Sequence, residues 1–271
     1  MAFSNTKAFS STFFRTFIFT GFFDIMAIVA LEWTRADYLL GFGHQFELGT
    51  RLMMAFTGTN FLVHVFGEVL MTLNRYTAAC KPMIHQKLWA KMPMNYLYFA
   101  SVVLSFVAYT EWFLTKCVYE RTVDGWRFIG REKQTLAARF IGALTVLLVE
   151  IVNGILITCT VVSIRRQKKK QHQKTGRELN LILLTAVTCP VNLMQSLYDL
   201  SIAFNLKNPA VVWIQSQFDV YFLIMMAINA YAIVILSRPL RIEMWSRLWC
   251  ARMKTATKVR SRTCSNMFSM N

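Results

Sequence analysis

Charge is what this chain has least of. Only 16% of its 271 residues are Asp, Glu, Lys or Arg, where a soluble globular chain carries about a quarter. With 55% hydrophobic residues, 14% aromatic ones and a mean hydropathy of +0.38, too few polar groups remain to cover a globule, so lipid is the expected solvent. Lipid leaves the backbone only helices or a closed barrel. The alternating segments of about ten residues that build a barrel are missing as well; the apolar segments are long and continuous. The expected fold class is all-α, a polytopic membrane helix bundle.

Six segments are long enough to cross a hydrocarbon core of about 30 Å: 13–33, 52–73, 95–115, 138–164, 179–204 and 210–236. The stretches up to Arg15, 74–94, 165–177 and 238–271 hold 21 lysines and arginines, and the alternate connections 34–51, 116–137 and 205–209 hold 8. Arg139, at a boundary, is left out of that count. The richer side is cytoplasmic by the positive-inside bias, which puts both termini in the cytoplasm. The net charge of +16 is then mostly a topology signal with some attraction to anionic lipid, and no nucleic-acid partner is needed to explain it.

Residues 1–253 read as one membrane domain. Its last part, 238–253, repeats Leu240, Met244, Trp245, Leu248 and Trp249 at helical spacing opposite Arg241, Glu243, Ser246 and Arg247, the pattern of a helix lying on the inner leaflet. Residues 254–271 read as a basic, disordered tail. The run Arg165-Arg166-Gln167-Lys168-Lys169-Lys170 is read as a cytoplasmic anchor.

Further scarcities exclude other classes. Six cysteines make no disulfide framework here: Cys80, Cys250 and Cys264 fall on the reducing side, Cys159 and Cys189 within spans, and only Cys117 outside. Cys250, beside the surface helix, is a candidate for palmitoylation. A cleavable leader is not expected, since the first span is too long for one and has no small-residue cleavage site. The four histidines, His44, His64, His85 and His172, lie far apart. They form no His-x-x-x-His pair, and no nucleophile motif is present, so neither catalytic residues, nor a metal, nor a cofactor is expected and the chain does not read as an enzyme. A six-helix transporter or channel subunit is the alternative. It would want broken helices, a repeat or a pore loop, and 11 Gly and 5 Pro without a repeat favour it little.

The polar residues that do occur inside spans are informative. Thr57, Asn60, His64, Glu68 and Arg75 fall on one face of the second span. Histidine and glutamate are costly in hydrocarbon, so that face is expected inside the bundle. Possible partners are Thr20 and Asp24 in the first span, Glu150 and Asn153 in the fourth, Asn192, Gln195 and Ser196 after Pro190 in the fifth, and Asp219 and Asn229 in the sixth. A network of Asp24, His64, Glu68 and Asn229 is expected at the bundle centre. Pro190 is expected to kink its helix. A ligand pocket is expected among Thr57, Asn60, Phe61, Gln195, Asp199, Trp213 and Gln217, from their depth alone.

Asn74-Arg75-Tyr76, at the end of the striped segment, places an arginine at the expected water edge ahead of Lys81-Pro82 and a basic loop. With Thr77-Ala78 and then His85-Gln86-Lys87-Leu88-Trp89, this run resembles the nematode serpentine chemoreceptors, seven-helix G-protein-coupled receptors, most closely the gamma and V classes of the Srg superfamily. Phe13-Phe14-Arg15 through Gly21-Phe22-Phe23-Asp24-Ile25 is similar to their second helix. The resemblance covers most of the chain, and only the Asn-Arg-Tyr run is specific. It implies a chemosensory receptor in the plasma membrane of sensory neurons, a small environmental molecule as ligand, and a heterotrimeric G protein contacted by Asn74, Arg75 and Tyr76.

The sequence also departs from that pattern. If 52–73 matches the family's third helix, one span precedes it where the family has two, and the charge count agrees by putting the N-terminus inside. The expectation is a receptor architecture lacking the first helix, through a short isoform, an incomplete gene model or a decayed gene. Thr50 stands where rhodopsin-like receptors carry a disulfide cysteine, Asn74 replaces the familiar aspartate beside the arginine, and no Asn-Pro-x-x-Tyr motif ends the last span.

Overall fold

The computed structural model describes residues 12–122, 125–133, 135–171 and 176–236. Two compact units divide the chain, 1–228 and 229–271, and the following concerns the first. Helix α1 (Thr12–Leu40) leads through a 3-10 turn at His44–Phe46 into α2 (Glu47–Cys80). A short α3 (Pro82–Lys91) precedes α4 (Met94–Ala108) and α5 (Thr110–Leu114). A hairpin of β1 (Cys117–Thr122) and β2 (Gly125–Arg131) follows, then α6 (Leu136–Gln171), α7 (Gly176–Ala203), α8 (Pro209–Ser216) and α9 (Phe218–Leu236), which runs on into the second unit.

By length and composition, three stretches of the described residues can cross a membrane: Thr12–Leu40, His44–Cys80 and Leu136–Arg166. The bent pair α8 and α9 makes a fourth if it is one span, and α4 is apolar but shorter.

On α1 and α6 the packing is largely turned inside out relative to a soluble bundle. On α1 the buried residues are Thr16, Thr20, Asp24, Ala27, Ala30, Leu31 and Asp37, all but Leu31 small or polar, while Ile18, Phe22, Ile25 and Val29 face outward. On α6, Ala138, Ala143, Val146, Glu150 and Asn153 are buried and Leu144, Leu148, Ile151 and Ile155 are exposed. Lipid rewards large apolar side chains on the outside, and small or polar ones let helices approach and pair within. Helix α2 differs because it is central: residues 57 to 65 are buried without a break, and it packs against α1, α4 and α6; α9 also buries Phe222, Met225 and Met226. At its Gly67 a Cβ would run into the Thr20 side chain, so this glycine sets how closely α1 lies.

Two expected spans are broken. The apolar run 95–115 stops as a helix at Ala108, because Tyr109 leaves helical geometry and turns its ring inward. The ring fills the notch that Gly58 leaves on α2, with its hydroxyl against Gly142 of α6. The run 210–236 bends by 55° between α8 and α9. Asn208 starts α8 by accepting from the Ala210 N–H at 3.0 Å, with Pro209 in the first turn. Helix α7 continues through Pro190.

The hairpin was not foreseen from the pattern. Tyr119 pairs with Phe128 and Glu120 with Arg127, and the register slips between Val118 and Tyr119. Alternating apolar residues around Asp124-Gly125 were the available signal. Tertiary contacts hold it down: the Tyr119 hydroxyl donates to Asp37 Oδ2 at 2.8 Å, and the Thr50 hydroxyl donates to the same oxygen at 2.6 Å. The surface helix 238–253, the tail, Cys250 and the side chain of Asn229 lie outside the described residues.

Candidate functional site

At the hairpin end of the bundle the helices and hairpin line a half-open cavity of about 280 Å³, at the small end of ligand sites, which span roughly 300–1,000 Å³. Its lining comes from α1, α2, α5, β2, α6, α7 and α9, a few residues each, and from the segments between them. Leu31 and Thr34 come from the end of α1, Thr57 and Phe61 from α2, Gln195 and Asp199 from α7, and Phe222 from α9. Tyr109 and Trp112 enter because the α4 break turns them inward, and Arg131, at the end of β2, reaches in from the hairpin.

Its chemistry is aromatic and cationic. Arg139 of α6 pairs with Asp199, Nη1 to Oδ1 at 3.1 Å, and Gln195 donates to the other Asp199 oxygen at 3.0 Å. Both arginines lie over Trp112, the Arg131 guanidinium carbon 3.8 Å and that of Arg139 5.7 Å from the ring centre. Burial first, and then its neighbour Arg139, pull the Arg131 guanidinium down to about 10, so it stays charged at neutral pH. Cys117, in β1 beside the cavity wall, is free and buried, and burial pushes its thiol up to about 11.

Four of the residues expected from depth line this cavity: Thr57, Phe61, Gln195 and Asp199. Three do not. Asn60 is buried on another face of α2, Trp213 is 62% exposed, and Gln217 is the hinge residue between α8 and α9. Depth predicts which turn of a helix a residue occupies, and the 55° bend moves the α8 residues away from the axis that a straight span would follow. The sequence reading missed Arg131, Arg139, Tyr109, Trp112 and Tyr198. Arg139 carried a signal, an arginine next to an apolar span with a buried aspartate available; Arg131 carried none.

Below the cavity, a chain of buried polar groups crosses the bundle. His64 Nδ1 lies 2.7 Å from Asp24 Oδ1, and Nε2 lies 3.5 Å from Glu68 Oε1. Asn192 Nδ2 donates to Glu68 Oε2 and to Glu150 Oε1, both at 2.7 Å. The chain thus runs from α1 through α2 and α7 to α6. Every member is buried, His64 completely. Both nitrogens of the His64 ring face a carboxylate oxygen, so at each contact a shared proton must sit on one side or the other. The structure brings Asp24, His64 and Glu68 together, and Glu150 and Asn192 extend the chain; the Asn229 side chain lies outside the described residues.

At the far end of α2, Arg75 is half-buried. The helix continues to Cys80, so Arg75 sits more than a turn inside it. Its guanidinium carbon lies 4.9 Å from the Phe13 ring centre, and its Nε is buried with no hydrogen-bond partner among the described residues. Asn74 and Tyr76 are also half-buried. Helix α3 folds back under this end: buried Trp89 donates to the Thr77 hydroxyl at 2.8 Å, and His85 Nδ1 lies 3.0 Å from the same oxygen. The resemblance, rather than the residue pattern, had marked His85 and Trp89.

Residues 2–250 match the family described as serpentine type 7TM GPCR chemoreceptor Srv. No curated protein matches the chain. The family is one of receptors and not of enzymes. Of the two classes that the sequence resembles, the match is to V; the gamma class and the wider Srg grouping gain no support from it.

Proposed function

Since the chain belongs to the Srv family of serpentine 7TM GPCR chemoreceptors, and so is a multi-pass membrane receptor of that general type, we propose that the cavity takes the stimulus and that the end of α2 carrying Asn74, Arg75 and Tyr76 meets the G protein. The stimulus is then a small environmental molecule and the setting the plasma membrane of a sensory neuron.

The observation that carries this reading is the layout along α2. Thr57 is in the cavity wall and Arg75 lies 18 residues on, about 27 Å along a helix. His64 and Glu68 occupy the interval and tie α2 to α1 and α7, and through Asn192 to α6. No direct contact spans that distance, so coupling requires a change in how the helices pack. A ligand that prefers one packing shifts the population toward it. The Asp24–His64–Glu68–Asn192–Glu150 chain has several donors and acceptors that can exchange partners, which makes two discrete packings possible. Freeing Arg75 from Phe13 is the exposure that coupling requires.

Cells expressing the receptor and a reporter of G-protein activation, challenged with a panel of small organic molecules, test the cavity. Thr57→Phe, which fills part of the volume, is expected to abolish or strongly weaken any response while surface expression persists. Unchanged responses would place the ligand elsewhere.

We also place both termini in the cytoplasm, which puts the cavity at the outer face. Epitope tags at either end should then be hidden from antibody on intact cells and visible after permeabilisation. A tag exposed at the N-terminus with a hidden C-terminal one would reverse the first helix and require another span.

A further inference from the structure

We infer that the cavity is built for a small organic anion, a carboxylate on an apolar or aromatic body, with Arg131 as its counter-ion; this rests on the cavity being the ligand site. Three cations line it, Arg131, Lys133 and Arg139, against one carboxylate, Asp199. That carboxylate is already committed, to Arg139 and Gln195. The nearby Glu111 is committed as well, since its Oε2 accepts from the Ala138 N–H at 3.1 Å at the start of α6. Arg131 has no carboxylate within ion-pair distance among the described residues, and its Nη1 is buried without a hydrogen-bond partner.

A guanidinium with a buried, unused donor is costly unless something anionic completes it. Its flat face is occupied by Trp112 at 3.8 Å, which leaves the edge, where the N–H groups point, for a planar two-oxygen acceptor. The Trp112 Nε1 is a second buried donor without a partner among the described residues. The rest of the wall, Leu31, Phe61, Tyr109, Phe128, Phe218 and Phe222, suits an apolar or aromatic body. A cationic ligand would meet Arg131 and Arg139 with only a neutralised Asp199 to hold it.

The test uses the full-length receptor in lipid nanodiscs with three matched probes: 3-phenylpropanoate, its primary amide, and 3-phenylpropylamine. Binding is followed by thermal stabilisation and by titration of tryptophan fluorescence. The acid is expected to bind about tenfold or more tightly than the amide, the loss that goes with one charge-assisted hydrogen-bonded pair, and the amine not at all. Arg131→Gln should remove the preference for acid over amide, and Arg131→Lys should retain part of it. Thr57→Phe should weaken acid and amide alike. Equal or tighter binding of amide or amine by the unmodified receptor overturns the anion assignment, and needs no variant that folds. So does failure of the acid to bind at millimolar concentration. If the acid binds and Thr57→Phe leaves it unaffected, the cavity itself is not the ligand site, and the reading beneath this inference falls with it.

Discussion

Replacing His64 by leucine is expected to destabilise the receptor more than any other single change along α2, by about 3 kcal/mol. The imidazole is fully buried between two carboxylates, 2.7 Å from Asp24 and 3.5 Å from Glu68. Without it Asp24 and Glu68 lose their shared partner in the low-dielectric centre of the bundle. In a melt of detergent-purified protein followed by tryptophan fluorescence, the midpoint should fall by roughly 10 °C. Glu68→Gln is the contrast. It keeps an acceptor for Asn192 and removes a charge, so it should melt within a few degrees of the parent. The double variant His64→Leu with Asp24→Leu should lose less than the two single losses combined, because both act on one contact. Strict additivity would mean that the 2.7 Å contact carries no coupling energy, and that the chain is only an assortment of separately solvated groups.

Arg75→Ala is expected to abolish stimulus-dependent nucleotide exchange on the G protein. Its stacking on Phe13 contributes only about 0.5–2 kcal/mol, so the folded receptor should survive the change with a slightly lower melting point. Arg75→Lys keeps the charge and loses the planar fork, and is expected to retain partial exchange. Reconstituted receptor with purified G protein gives the exchange rate, and the melt gives the folding cost on the same sample. Full exchange by Arg75→Ala would remove this residue from the coupling surface. A collapse of folding with no exchange from Arg75→Lys either would assign it to packing alone.

The class of this protein followed from composition, because a chain so poor in charge has no soluble way to fold. The polar face of α2 was also legible: Thr57, His64 and Glu68 recur at helical spacing, and hydrocarbon forces such residues inward whatever the neighbours are. For the same reason Asp24 could be placed in the interior from its depth in the first span. The family was legible in Asn74-Arg75-Tyr76 and in the run that follows it.

Only the tertiary structure decided which groups meet. Glu150 and Asn192 stood among several polar residues of similar depth, and nothing in the chain's periodicity says that one amide of α7 bridges carboxylates on α2 and α6. The break after α4 could not be read, since 95–115 is uniformly apolar; it exists because Tyr109 finds room beside glycines on two other helices. That break turns Tyr109 and Trp112 into the cavity, and the hairpin brings Arg131 over Trp112. Arg75 is half-buried because α2 continues to Cys80 and α3 folds beneath it. Residue type and spacing determine which side of a helix lipid will accept. Where a helix stops, and which polar group lies opposite which, depends on shape matched between distant segments, and one chain's periodicity holds no record of that.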